Sequence, residues 1–394
     1  MISYEDALSL VLKAASPLGA ETVPVARAAG RVLTEWVVSG VDSPPFNKSA
    51  MDGFAVRASD VKRLPADLKL AGEVAAGTLP ALKVGPGEAA RIMTGAPVPD
   101  GADMIVLLEH AEVTGDRVRV LQTAGKNICM RGEDMHEGSA VLGPGQRLTS
   151  AAVAAAAAAG AGSVTVSRRA RAAVLSTGTE LVEAGAAVSG GQIYDINGPM
   201  LASLLSPLAE SVSCLGVVGD ERSVLETALR KGLSRDLLVV SGGVSRGDYD
   251  LVVPALVSLG VKEVFHECAI KPGKPTFFGT RGRTLVFGMP GNPLACFVVF
   301  HVLVRPAIAR MTGLGDAGLV LESGLMAEGF DHKPGRRAFV PCTVEMQGGK
   351  RLLRRTRSHG SADIVGAVDA QALVSLPADC TRVGEGDVVQ FLPV

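Results

Sequence analysis

The residues best suited to chemistry sit in a few short loops. In STGTEL, Ser176, Thr177 and the amides around Gly178 are expected at a helix start, which favours phosphate, with Glu180 immediately beyond. SGGVSRGDYD repeats the arrangement with Gly242, Gly243 and Ser245, then adds Asp248 and Asp250. IKPGKP sets Lys271 and Lys274 on a proline-stiffened loop, suited to two point charges facing one polyanion. VVGDE supplies Asp220. Glycines admit an anion to the backbone, whereas carboxylates repel it unless a cation intervenes. A divalent ion such as Mg²⁺ reconciles the two, because it binds through one or two carboxylates plus substrate phosphates. The expected ligand is therefore a phosphate ester or anhydride carried with a metal. For single residues a plainer reading stays open: a Gly-rich turn is often only a tight turn, and Asp220 and Asp248 could simply cap helices.

A second cluster, SPPFNKSAMDGFAV, brings a hydroxyl, a small residue and a carboxylate into one turn between Ser49 and Gly53. Taken alone, Asp52 followed by Gly53 is also an ordinary hairpin signal. The histidines show no ligand spacing. Between residues 333 and 357, Lys333, Arg336, Arg337, Lys350, Arg351, Arg354, Arg355 and Arg357 face only Glu345, a pattern expected mainly of a solvated hairpin face.

These loops need elements to place them. From Arg171 to Gly313 apolar strands alternate with helical segments, which implies a mostly parallel sheet covered on both faces. Ligands of such sheets bind outside the carboxyl ends of the strands, where STGTE, VVGDE, SGGVSRGD, IKPGKP and GMPGNP all fall. The expected architecture is multidomain α/β plus β. A three-layer α/β/α domain spans 167–313, a small β-rich domain 41–135, and a C-terminal β domain 314–394. Residues 1–40 and 136–166 form a helical or mixed hub, with Ser3 capping the first helix.

At 394 residues the chain is too long for one ordinary core. A net charge of −1 and 4% aromatics give no global footprint for nucleic acid or acidic lipid, so anion binding must be local. The six cysteines lie far apart, as expected of reduced thiols in a cytoplasmic protein. MISYEDALSL carries acids where an export signal is basic. Pro293 to Met311 is apolar enough to span a membrane, but holds His301, Arg305 and Pro306 and reads as a core helix.

The motifs SAMDGFAVR, RIMTGAPVPDGAD, RGEDM, STGTEL, GQIYDINGPML, SGGVSRGDYD, AIKPGKP and GMPGNP occur in an order and spacing that resembles the molybdopterin molybdenumtransferase family, the molybdenum insertases related to the gephyrin E domain. The resemblance covers essentially the whole chain. It implies an elongated four-domain subunit in a homodimer, with the active cleft between subunits. The implied reaction takes adenylylated molybdopterin and molybdate with Mg²⁺, forms molybdenum cofactor and releases AMP. By motif, Asp52 matches an essential acid supplied by the partner subunit and Thr94 its hydroxyl partner. Glu180, Asp220 and Asp250 match functional carboxylates, with Asp220 and Asp250 the metal ligands. Lys271 and Lys274 match the lysines of KPGKP, and Pro290, Asn292 and Pro293 the PGNP turn. Arg336 and Ser361 fall where molybdate is thought to bind. Implied partners are a molybdopterin adenylyltransferase and acceptor molybdoenzymes. Relatives usually carry a small or apolar residue at Arg246.

Two other readings compete. One is a different metal-dependent nucleotidyl or phosphoryl transferase, against which the absence of a Gly-Lys-Ser/Thr phosphate loop weighs. The other is a non-catalytic pterin carrier or scaffold.

Overall fold

Helix α1 (Tyr4–Ala14) begins where the sequence places its cap: Ser3 Oγ accepts from the Asp6 amide at 3.0 Å. The computed structural model describes residues 1–244, 251–314 and 320–394, so Ser245, Arg246, Asp248 and Asp250 lie outside the described residues. The chain divides into two compact units, Met1–Glu21 with Ser167–Val394, and Thr22–Val166.

The α1 helix departs from the hub expectation. Its buried Tyr4, Ala7 and Val11 join the core of the α/β unit, where Tyr4 meets the Phe339 ring edge-on at 5.1 Å. Residues 22–40 and 136–166 do share a core in the other unit. Amphipathic spacing marks an apolar face without naming the core that receives it.

In the unit Thr22–Val166, strands β1 (Gly53–Val56), β2 (Ala66–Val74), β3 (Glu88–Ile92), β4 (Met104–Leu107), β5 (Ala111–Thr114) and β6 (Arg117–Val120) form a sheet. Their order is β4-β1-β3-β2-β6-β5. Strand β1 is buried on both faces: Phe54 and Val56 enter one apolar cluster, Ala55 another. Gly53 is required at its start, since a Cβ there would lie 1.9 Å from Val106 O. The alanine tract forms α2 (Ser150–Ala158), capped by Thr149 and packed through Ala152 and Ala156.

In the larger unit, β7 (Arg171–Thr177), α3 (Asn197–Leu205), β8 (Ser211–Val218), α4 (Arg222–Gly232), β9 (Leu237–Ser241) and α5 (Val252–Ser258) follow the expected alternation. Next come β10 (Lys262–His266), β11 (Ile270–Lys271), β12 (Phe277–Arg281) and β13 (Thr284–Met289). The main sheet runs β8-β7-β9-β13-β12-β10, parallel through β13 and antiparallel at β12 and β10. Alternate residues separate its faces. Ala173, Leu175, Leu238 and Val240 pack with α4 and α5, while Ala172, Val174, Leu237 and Val239 pack with α1 and α3. Three layers result, as the hydrophobic strands predict.

The apolar run Pro293 to Met311 is mostly buried in the fold. It comprises α6 (Pro293–Val299), a π-helical turn at Phe300–Val304, and α7 (Arg305–Met311). Pro306 has no N–H to give an α-helical partner, and the widened turn precedes it. Strands β14 (Glu322–Met326), β15 (Arg337–Gln347), β16 (Lys350–Arg355), β17 (Ala372–Leu376) and β18 (Val388–Pro393) close on themselves through a β15–β17 pairing, and β11 adds to β15 in parallel.

Candidate functional site at the strand ends

Strand β7 does not lead into a helix. Gly178 turns the chain at φ 151°, and Leu181–Val182 then pairs in parallel with Ile193–Tyr194 before α3 begins at Asn197. The helix start expected at Ser176 and Thr177 is therefore corrected: the helix begins only at Asn197. Thr177 is buried and donates from Oγ1 to Ser241 O at 3.2 Å, tying β7 to β9. Ser176 is 1% exposed and its hydroxyl has no partner among the described residues.

Gly242 and Gly243 have a packing reason to be glycine. At φ 87° and 62°, their Cβ atoms would stand 2.3 Å from Thr177 O and 2.6 Å from Val252 Cγ2. The tightness of this turn shapes the loop end whatever the ligand.

Glu180 and Asp220 follow the ends of β7 and β8. Thr179 donates from Oγ1 to Asp220 Oδ2 at 3.3 Å, and the Glu180 carboxylate lies over Gly178, within 2.6 Å of where a Cβ would sit. Asp220 does not cap α4, whose cap position is Glu221. Both carboxylates are exposed. Among the described residues no group of three His, Cys, Asp or Glu gathers as a metal cluster. Exposed carboxylate oxygens beside a hydroxyl nevertheless suit Mg²⁺, which keeps waters and substrate phosphates as its remaining ligands.

Asp195 and Asn197 belong to this site but were assigned no role from sequence. Asn197 is buried, donating from Nδ2 to Ser241 Oγ and to Gly291 O, each at 2.7 Å, while Oδ1 has no partner among the described residues. It thus joins three loops of the strand-end edge. Asp195 accepts the Gly198 amide at 2.9 Å. The signal was present in GQIYDINGPML, where Asp and Asn two apart precede Gly-Pro, a helix-entry pattern.

A basic face forms where the C-terminal strands meet this unit. The β11–β15 pairing sets Lys271 opposite Ala338, and Arg336 donates from Nη1 to Ile270 O at 3.1 Å. Lys274 lies 3.4 Å from Glu267 Oε1, so its charge is shared within the loop. Burial, with the nearby Lys271 and Arg355 charges, holds His332 below its ordinary value, a sign of positive potential here. Pro293 opens α6, its missing N–H harmless in the first turn, and Pro290 is buried. Asn292 leaves the helix uncapped and donates from Nδ2 to Ser361 Oγ at 2.8 Å. Ser361 O in turn accepts from the Leu294 amide at 3.0 Å.

In the other unit, Asp52 Oδ1 accepts from the Thr94 amide at 2.7 Å and from Thr94 Oγ1 at 3.1 Å. Those bonds, aided by the charge of Arg91, hold the carboxyl below the usual range. Ser49 is 1% exposed and donates to Met51 O at 2.5 Å, so its hydroxyl shapes the Asp52 turn and is not offered to a ligand.

Comparison with known proteins extends this geometry. Residues 2–160 match the MoeA N-terminal region (domain I and II), 173–310 a probable molybdopterin binding domain, and 323–394 the MoeA C-terminal region (domain IV). Molybdopterin molybdenumtransferase 2 of Mycobacterium tuberculosis is 34% identical across 98% of this chain and 97% of its own. The molybdopterin molybdenumtransferase of a Nostoc species is 33% identical, covering 98% and 91%. A crystal structure of the molybdopterin biosynthesis MoeA protein from Pyrococcus horikoshii superposes with a TM-score of 0.81 at 32% identity, covering 100% and 99%. Matched from end to end, the chain belongs to the MoeA family of molybdopterin molybdenumtransferases.

Proposed function

We propose that the protein is a molybdenum insertase that takes adenylylated molybdopterin and molybdate, transfers molybdenum to the pterin dithiolene and releases AMP. The observation that carries this reading is the joining of cationic and polar groups across the larger unit. Strand β11 sets Lys271 opposite Ala338, next to the Ile270 carbonyl that accepts from Arg336, and the Asn292–Ser361 bond draws a C-terminal loop to the PGNP turn. A planar guanidinium and an ammonium on neighbouring strands suit an oxyanion, and the Ser361 hydroxyl would add a donor where it reaches the same ligand.

Mg²⁺ fits the exposed carboxylate end of the same sheet. Asp220 and Asp250 would hold it, and when bound it offsets charge on the phosphoanhydride oxygens. Lys271 adds positive charge toward the anhydride and molybdate, Lys274 contributes only what its ion pair with Glu267 leaves, and Glu180 bounds the site on the β7 side. Asp52, kept ionised by Thr94, orients the reacting groups from the partner subunit of a homodimer. A molybdopterin adenylyltransferase would deliver the pterin, and molybdoenzymes would receive the product.

The deciding experiment is AMP release from adenylylated molybdopterin with Mg²⁺, with and without molybdate, followed by activation of a cofactor-free molybdoenzyme. Molybdate-dependent release with activation establishes the reading. Tight pterin binding without AMP release would make the protein a carrier.

A further inference from the structure

Ser176, whose buried hydroxyl has no partner among the described residues, lines a cavity of about 290 Å³. Its polar lining is Ser176, Glu183, Asp195 and Cys214, with Gly198 and Gly216 leaving space. Two carboxylates, with no lysine or arginine lining the cavity among the described residues, repel an anion. They attract N–H donors instead. Val174, Val217 and Pro199 add apolar wall.

Chain geometry holds the cavity open. The β7–β8 register shifts between Val174 and Ser176, and Gly216 beyond it sits at φ 80°, with Glu183 Oε1 3.8 Å from where its Cβ would be. A Cβ on Gly198 would stand 2.3 Å from Asp195 Oδ2 and 3.0 Å from Ser176 Oγ, so glycine keeps those two oxygens facing one space. Asp195 Oδ1 is occupied by the Gly198 amide. Helix capping accounts for that one oxygen. It does not account for a serine hydroxyl left without a partner among the described residues at 1% exposure, which folding disfavours unless a ligand or a water satisfies it.

We infer that this cavity is the subsite for the N–H-bearing edge of a flat fused heterocycle, with Asp195 and Glu183 accepting its N–H groups and Ser176 completing the set. The volume is at the small end of ligand pockets, which span roughly 300–1,000 Å³. The inference rests on the insertase reading, whose substrate carries two such rings. A pterin presents adjacent amino and ring N–H donors, and adenine presents an exocyclic amino group.

The test uses the full chain with two phosphate-free probes, 6-hydroxymethylpterin and adenosine, titrated by calorimetry. Asp195→Asn preserves size and leaves one oxygen for the Gly198 amide, but turns the other position into a donor. Ser176→Ala removes only the hydroxyl. The expected result is at least about tenfold weaker binding of one probe in Asp195→Asn, and a smaller loss in Ser176→Ala, at unchanged thermal unfolding. Loss confined to the pterin assigns the pocket to the pterin ring; loss confined to adenosine assigns it to adenine. Unchanged affinity in both variants, or wild-type protein that binds neither probe, overturns the pocket. The insertase reading fails separately, by absence of molybdate-dependent AMP release.

Discussion

Asn292 donates from Nδ2 to Ser361 Oγ at 2.8 Å, joining the turn before α6 to the loop after β16. The position that would ordinarily cap α6 spends its side chain on a long-range contact instead. Asn292→Ala frees the Ser361 hydroxyl from its orientation. Losing one such bond should raise the KM for molybdate about tenfold, with a smaller change in kcat. A variant that lowers kcat alone would remove this pair from the oxyanion site.

The Asp52–Thr94 pair sets an acid limit. Thr94 holds the Asp52 carboxyl below its ordinary value through an amide and a hydroxyl donor. Thr94→Val keeps the amide and loses the hydroxyl, so the carboxyl protonates at a higher pH. The acid limb of the AMP-release profile should therefore move upward in pH, with activity at neutral pH reduced about three- to tenfold. Asp52→Asn should lose at least about a hundredfold at every pH. An acid limb that stays put in Thr94→Val would show that Asp52 does not set it.

Asp236 governs acid stability of the larger unit. Burial pushes its carboxyl up, but hydrogen bonds from Arg168 at 3.1 Å and from the Arg171 guanidinium at 3.2 Å and amide at 2.8 Å outweigh it and hold it well below the usual range. A depressed folded-state value stabilises above the unfolded carboxyl value, about 3.9, and is lost as pH falls below it. Asp236→Asn should cost about 2 kcal/mol at neutral pH and remove this part of the acid dependence. Chemical unfolding at pH 7 and pH 3 reads both.

His301 contributes with the same sign in a higher window. Burial, reinforced by Arg305, pushes its imidazole down to about 3, and neither ring nitrogen has a partner among the described residues. The unfolded chain takes up the proton near pH 6.5 while the folded chain resists, so stability falls as pH drops from about 6.5. At pH 5 the loss is about 2 kcal/mol. His301→Phe can keep the packing against Phe297, whose ring centroid lies 4.5 Å away. Its stability should be flatter between pH 6.5 and pH 5; an equally steep variant would clear His301 of the effect.

Much of this was legible in the residues. Apolar strands from Arg171 to Met289, broken by helical spacing and Gly-rich turns, determine a mostly parallel three-layer domain, because only a sheet covered on both faces can bury them. The motif order determined the family, and Ser3 the first helix start. Tertiary structure decided the rest. A hydroxyl announces a hydrogen bond without naming its partner, so the sequence could not say that Thr177 binds Ser241 O, that Ser49 is spent on Met51 O, or that Ser176 has no partner among the described residues. Tyr4 and Val11 mark an apolar face, yet only packing shows that α1 enters the α/β core. Lys271 and Arg336, like Asn292 and Ser361, are far apart along the chain; strand pairing brings the first two segments together and one asparagine bond the second two. Local spacing encodes periodicity and caps. Which distant groups face one another is set by how the layers close over their cores.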